Sequence, residues 1–209
     1  MRAVGVELGR TPVLRGLDLT LDPGEAVGIS GANGSGKTTL LRVAATLLAP
    51  TEGAVSVLGA DVATEAKLAV RANIGLIGHA PALFPHLTLA ENTAFAAELL
   101  GIVDRGEVDS VLAQVGLASA ADRRADHCSF GMQRRAEFAS LILADPTLLL
   151  FDEAHAGLDS SATAIIDHLI KGAVARGGGA IVVSHQPRHG GLGLDRFLAL
   201  NGGALGPPA

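Results

Sequence analysis

Two of the three aromatic side chains are missing from this chain. It has no Trp and no Tyr, and its first Phe is Phe84. The N-terminal part therefore cannot supply an aromatic stacking surface. Cysteine is almost absent as well. The lone Cys128 cannot form an internal disulfide, which suits a reducing cytosol. Positive charge is sparse: the formal net charge is −5 and no basic run exceeds two residues. That argues against a nucleic-acid partner held on a basic face. No apolar stretch reaches the roughly 18 residues that a bilayer-spanning helix needs. Arg2 is followed by Ala-Val-Gly-Val-Glu, too short and too soon charged for a signal peptide.

What is present is a core. Of 209 residues, 48% are hydrophobic, enough for a packed domain of this length rather than disorder. The mean hydropathy of +0.39 is high for a free-standing soluble protein. An alanine- and leucine-rich composition accounts for it, and so does an apolar surface that docks on a partner. Both readings stay open.

Residues 31–38 read Gly31-Ala32-Asn33-Gly34-Ser35-Gly36-Lys37-Thr38, which fits the phosphate-loop pattern G-x-x-x-x-G-K-[ST] throughout. The surroundings fit too, with an apolar strand-like run from Ala26 to Ile29 before it and a helical run from Thr38 to Leu48 after it. Glycines let backbone N–H groups turn toward an anion, and the helix start adds positive potential. The candidate nucleotide contacts are Gly31, Asn33, Gly34, Ser35, Gly36, Lys37, Thr38 and Thr39. Lys37 is expected to reach the β- and γ-phosphates, and the Thr38 hydroxyl to ligate Mg²⁺.

The opening reads as an antiparallel sheet, with strands at Val4–Leu8 and Leu17–Leu21 and a turn at Asp22-Pro23-Gly24-Glu25. A strand at Ala54–Leu58, a helix over residues 65–72 and a strand at Ile74–Ile77 follow. The middle then turns helical. Thr88 and Glu91 have capping-box spacing ahead of a helix to about Leu100. Val108, Val111, Leu112 and Val115 share one helical face, and a third helix starts after Ser129 and stops before Pro146. With no strands between them, these helices form an insertion over residues 86–140. The α/β pattern resumes with a buried strand at Leu148–Phe151, a helix over 160–175, a strand at Ala180–Ser184 and a hairpin from Phe197 to Leu205 turning at Asn201-Gly202.

Leu148-Leu149-Leu150-Phe151-Asp152-Glu153 is an apolar strand ending in two carboxylates. Downstream of a phosphate loop, such a strand delivers one carboxylate, Asp152, to Mg²⁺ and the next, Glu153, to the attacking water.

Cys128-Ser129-Phe130-Gly131-Met132-Gln133-Arg134-Arg135 resembles the signature motif of ATP-binding cassette (ABC) proteins, usually Leu-Ser-Gly-Gly-Gln. Ser129 and Gly131 match, Met132 is a frequent variant, and Phe130 replaces the first glycine. Ala156-Gly157-Leu158-Asp159 resembles the family's D-loop, and His185, ending Ile181-Val182-Val183-Ser184, its switch histidine. The resemblance covers nearly the whole chain. It implies an α/β phosphate-loop NTPase core of ABC type over residues 1–85 and 141–209, with an antiparallel β subdomain and the inserted helical subdomain, all in one domain of residues 1–209. It implies ATP and Mg²⁺ as ligands, Glu153 and His185 as catalytic groups, Ser129 and Gly131 as contacts to nucleotide held by a second ATP-binding subunit, in a homo- or heterodimer, and Asp159 of the D-loop as a further nucleotide-binding candidate. It also implies transmembrane transporter subunits as partners and a place on the inner face of the cell membrane. Leu83, Phe84, Leu87 and Phe95 are candidates for that contact, or plain core.

Two positions depart from the family pattern. Where the family has its Q-loop glutamine, this chain has Gly78-His79-Ala80-Pro81. His79 takes that place as a candidate catalytic group, and an imidazole would respond to pH. Where the family stacks adenine on an N-terminal aromatic, Leu8 stands instead. The segment Ile74–Asn92 resembles the ATPase of the cytochrome c biogenesis haem exporter, whose members often carry Gly-His where others carry Pro-Gln. A degenerate regulatory nucleotide-binding subunit and a soluble non-transport ABC ATPase remain as alternatives.

Overall fold

Turn-separated apolar runs build this fold around a parallel sheet. The computed structural model describes residues 1–154, 159–185 and 192–208. In chain order, β1 (Arg2–Leu8) and β2 (Thr11–Leu17) form a hairpin, and β3 (Ala26–Ser30) leads through the phosphate loop into α1 (Lys37–Ala44). Next come β4 (Glu52–Ala54), a small hairpin of β5 (Ser56–Val57) and β6 (Ala60–Asp61), α2 (Ala66–Val70) and β7 (Ile74–Ile77). Three helices follow, α3 (Leu89–Leu99), α4 (Arg105–Gln114) and α5 (Phe130–Ala144). Then β8 (Leu148–Asp152), α6 (Ser160–Ala175), β9 (Gly179–Ser184), β10 (Arg196–Asn201) and β11 (Ala204–Gly206) complete the described elements.

The main sheet has the order β11-β10-β3-β9-β8-β7, parallel except for the edge strand β11. A separate antiparallel sheet has the order β2-β1-β4. Alternation along the central strands divides the core. Leu149 and Phe151 of β8 and Ala180 and Val182 of β9 point to the face covered by α5 and α6. Leu148 and Leu150, with Ile181 and Val183, point to the other face, where Leu40, Leu41 and Val43 of α1 pack with Val4 and Leu17 of the antiparallel sheet. Both faces are covered, which is why β8 and β9 read as continuous apolar runs.

Local signals placed several elements. At α3 the Thr88 hydroxyl accepts from Glu91 N–H (3.1 Å) and the Glu91 carboxylate accepts from Thr88 N–H (2.7 Å), so the capping box forms. Elsewhere tertiary contacts moved the boundaries. The apolar alternation from Leu17 to Leu21 is not a ladder strand: β2 ends at Leu17, and beyond it Leu19 only exchanges bonds with Met1 (3.0 and 3.2 Å). α1 stops at Ala44, short of Leu48, because Thr46 takes a left-handed φ of +60° and is held there by Arg71, whose Nε and Nη2 donate to its hydroxyl and carbonyl (3.0 and 2.8 Å). The expected Ala54–Leu58 strand is split between β4 and β5, which pair with different partners. The last hairpin turns at Gly202-Gly203, with φ +55° and +85°, because Asn201 still pairs with Ala204.

Candidate functional site

The parallel register brings four strand ends to one edge of the sheet. Ser30 pairs with Ser184, Asp152 with Val183, and Ile77 with Phe151. The phosphate loop, Glu153, His185 and the Gly78-His79 turn therefore leave the sheet side by side, at the carboxyl ends of strands where α/β sheets bind ligands. A cleft of about 500 Å³ opens there, lined by Asn33, Gly34, Gly36, Lys37, Thr38, Thr39, His79, Asp152, Glu153, His185 and Val13.

The floor of the cleft fits a polyphosphate. Gly36 holds the N-cap position of α1 at φ +106°, and no side chain caps that helix, so its first amides have no capping acceptor. A Cβ on Gly36 would lie 2.8 Å from Leu14 Cδ2, and one on Gly31 would lie 2.6 Å from the Leu200 carbonyl. Only glycine lets the loop wrap this tightly. The buried Lys37 ammonium donates to the carbonyls of Gly31 (2.7 Å) and Ala32 (3.0 Å) and stands 3.9 Å from Glu153 Oε1. Within the loop, the Ser35 hydroxyl is buried with no partner among the described residues. Uncapped amides, an orphaned hydroxyl and a buried cation together make an anion cradle.

On the opposite wall the Thr38 hydroxyl donates to Asp152 Oδ2 at 2.7 Å, and Asp152 is only 3% exposed. A hydroxyl beside a carboxylate is the oxygen donor set that Mg²⁺ takes together with phosphate oxygens. Glu153 follows at φ +54°, a left-handed conformation that costs a non-glycine residue about 1–3 kcal/mol and clusters at functional sites. Its N–H is anchored to the Val183 carbonyl (3.0 Å), while its Oε2 lies 2.9 Å from His185 Nδ1 and accepts from the Ser184 hydroxyl at 3.4 Å. A carboxylate facing Nδ1 places the ring proton there and leaves Nε2 for other work. Against this carboxylate a water could be oriented and deprotonated.

His79 lies on the exposed wall of the same cleft, and its carbonyl accepts from Arg134 Nη2 at 2.8 Å. The remaining sequence candidates are not gathered into the cleft of this chain. The Ser129 hydroxyl caps α5 by accepting from Met132 N–H (3.3 Å), with Gly131 in the first turn. Asp159 caps α6 through Ala162 N–H (2.8 Å) and is gripped by Arg135 Nη2 at 2.9 and 2.8 Å. The Ser161 hydroxyl, the Ala162 N–H and Arg135 hold its carboxyl down at about 2. Ala156, Gly157 and Leu158 lie outside the described residues. Leu8, expected in the place of the base-stacking aromatic, is 46% exposed at the end of β1 and does not line the cleft. Val13, on the next strand against Gly36, lines it instead, because the hairpin turns β2 and not the tip of β1 toward the phosphate loop.

Sequence reading passed over Arg134 and Glu137. Arg134 Nη1 donates to Glu137 Oε2 at 2.7 Å inside the protein. Burial pushes the Glu137 carboxyl upward, opposed by Arg134 and by Ala82 N–H. Their signal was legible: opposite charges three apart on the stripe that also carries Phe138 and Leu141. On the far side of the β7–α3 loop, a groove of about 420 Å³ is lined by Leu83, Phe84 and Phe95, with the two Phe rings edge to face at 5.2 Å. Leu87 does not line it; its carbonyl accepts from Ala125 N–H and the Asn92 amide.

A sequence profile described as ABC transporter matches residues 14–156. This chain belongs to the ABC transporter family. It is similar to the cytochrome c biogenesis ATP-binding export protein CcmA of Nitrobacter winogradskyi, 37% identical over 94% of each chain. The protein of the same name from Bradyrhizobium diazoefficiens is 38% identical over 96% of each. The phosphonates import ATP-binding protein PhnC of Anaeromyxobacter dehalogenans is 37% identical over 98% of this chain but only 44% of its own length. Among solved structures, an ATP-binding subunit of an ABC transporter superposes with a TM-score of 0.86 at 26% identity, covering 99% of this chain and 88% of that one. A dimeric ATP-binding cassette in a post-hydrolysis state, bound to ADP and Pi, gives 0.84 at 25% identity, covering 100% and 97%. As an ABC ATPase, the chain binds and hydrolyses ATP. No described helix is long and apolar enough to cross a membrane.

Proposed function

We propose that this chain powers a membrane exporter serving cytochrome c biogenesis, with haem as the cargo of the complex. The observation that carries this reading is the match to relatives named for that export across nearly the full length of both chains. Lys37 and the first amides of α1 bind and orient the phosphates, and Thr38 and Asp152 hold Mg²⁺. When bound, the metal neutralises charge on the phosphate oxygens. Glu153 takes the proton of the attacking water, and His185 keeps its carboxylate turned into the cleft. His185 also faces the terminal phosphate as the switch histidine, and His79 stands in for the Q-loop glutamine. Ser129 and Gly131, at the uncrowded start of α5, complete the site of a second subunit, and Asp159 lies at the same junction. The groove of Leu83, Phe84 and Phe95 receives a cytoplasmic segment of a transmembrane subunit, and the chain so docked lies on the inner face of the membrane.

Deleting the gene and restoring it tests the reading. Covalently haem-stained c-type cytochromes should disappear, return with the wild-type chain, and not return with Lys37→Ala. Normal c-type cytochromes in the deletion strain would overturn the export assignment while leaving the ATPase assignment to a separate phosphate-release assay.

A further inference from the structure

The two buried charges of α5 make bonds that leave the helix and end on one loop. Arg134 is 0% exposed and its Nη2 donates to the His79 carbonyl at 2.8 Å; Glu137 Oε1 accepts from Ala82 N–H at 2.8 Å. Between them runs the 2.7 Å ion pair. Arg134 Nε has no partner among the described residues, and the Phe130 ring, on the first residue of α5, lies 5.1 Å from the guanidinium carbon.

Stability alone does not account for this arrangement. A buried ion pair is often matched or exceeded by apolar side chains of similar volume, and here one donor is left unsatisfied as well. What the pair supplies, and apolar side chains could not, is directional bonding to two backbone groups of the β7–α3 loop. Those groups face different places: His79 lines the nucleotide cleft, and Ala82 lines the apolar groove. Glu137 itself lines the groove beside Ala82.

We propose that Arg134 and Glu137 are positioning residues that clamp the His79–Ala82 loop to the first turns of α5. The wall of the cleft and the helix start bearing Ser129 and Gly131 then move as one body. Phe130 covers the clamp from outside, which gives its bulk a use where the family usually has glycine. The clamp rests on the reading of the cleft as the ATP site.

The test combines a structural and a kinetic readout. In the nucleotide-free chain, Arg134→Met with Glu137→Met removes the clamp while keeping apolar volume. Hydrogen exchange at Ala82, the loop amide that donates to the clamp, should quicken by about tenfold or more, with β8 and the last turns of α5 unchanged. The kcat for ATP should fall about tenfold while KM moves less than about threefold, since the loop is displaced and the phosphate loop is not. Arg134→Lys keeps one charge but loses the fork that holds the His79 carbonyl, so kcat should fall as in the double variant while exchange at Ala82 stays slow on Glu137; this variant decides the matter if the double variant does not fold. Unchanged exchange at Ala82 in the folded double variant, or an unchanged kcat in Arg134→Lys, overturns the clamp. A wild-type chain that binds but does not hydrolyse ATP would count against the ATPase reading, and the exchange measurement would still decide the clamp.

Discussion

Thr38 and Asp152, 114 residues apart, share a 2.7 Å hydrogen bond across the cleft. The hydroxyl ends the phosphate loop and the carboxylate ends β8, so the bond exists only because β3 and β8 run parallel on either side of β9. If both atoms become Mg²⁺ ligands, nucleotide affinity should depend on the metal through them. Asp152→Asn should reduce the Mg²⁺-dependent gain in ATP affinity by about 10–100-fold, the worth of a charge-assisted contact, and leave binding in EDTA nearly unchanged. Titrating ATP with and without Mg²⁺ measures the gain directly. Equal gains in variant and wild type would remove Asp152 from the metal site.

Glu153 should be the group whose loss stops turnover without stopping binding. Its backbone is held at φ +54° and its carboxylate by His185, so Glu153→Gln preserves shape and removes the base. The rate should fall by about 10²–10⁴. Bound ATP would then persist and hold two copies together. Sedimentation of Glu153→Gln should show a dimer with Mg-ATP and a monomer without it. A monomer at saturating ATP would point to a heteromeric partner.

Base selection should be weak. Among the described residues the cleft wall offers Val13 and no Phe, Tyr or Trp ring, and stacking contributes about 0.5–1.5 kcal/mol. ATP and GTP should therefore bind within about tenfold of each other. Val13→Tyr should tighten ATP severalfold, whereas Leu8→Tyr should change little, because Leu8 lies outside the cleft. Competition between the two nucleotides is the measurement. A preference well beyond tenfold would mean that another group holds the base.

The junction of α5 and α6 should weaken in acid. Asp159, held at about 2 against an ordinary 3.8 by Ser161, Ala162 N–H and Arg135, favours the folded state once it is ionised. That contribution is complete above its unfolded value and is lost as pH falls through about 2. Asn would still cap α6, so Asp159→Asn isolates the charge. The melting temperature of the wild type should exceed that of the variant by a steady margin above about pH 5, and the margin should close toward pH 2. A margin that does not change with pH would mean that the Arg135 contact adds nothing through charge.

Some of this protein is written in contiguous residues. The phosphate loop needs glycines, a lysine and a threonine in one short run, and the Thr88–Glu91 capping box is complete within one turn. Unbroken apolar runs marked β8 and β9, because strands buried on both faces have no polar side to show. By itself, then, the sequence determined the nucleotide chemistry and the order of most elements. Tertiary structure decided what depends on distant partners. Arg71 ends α1 through Thr46, 25 residues away. The hairpin register gives the cleft wall to Val13 and not to Leu8. Arg134 reaches His79 across 55 residues, turning two charges that resemble an ordinary helix pair into a bridge between cleft and groove. A motif can be read where its atoms are neighbours along the chain. A hydrogen bond between remote residues acquires its geometry only after the core has packed and fixed where each backbone group lies.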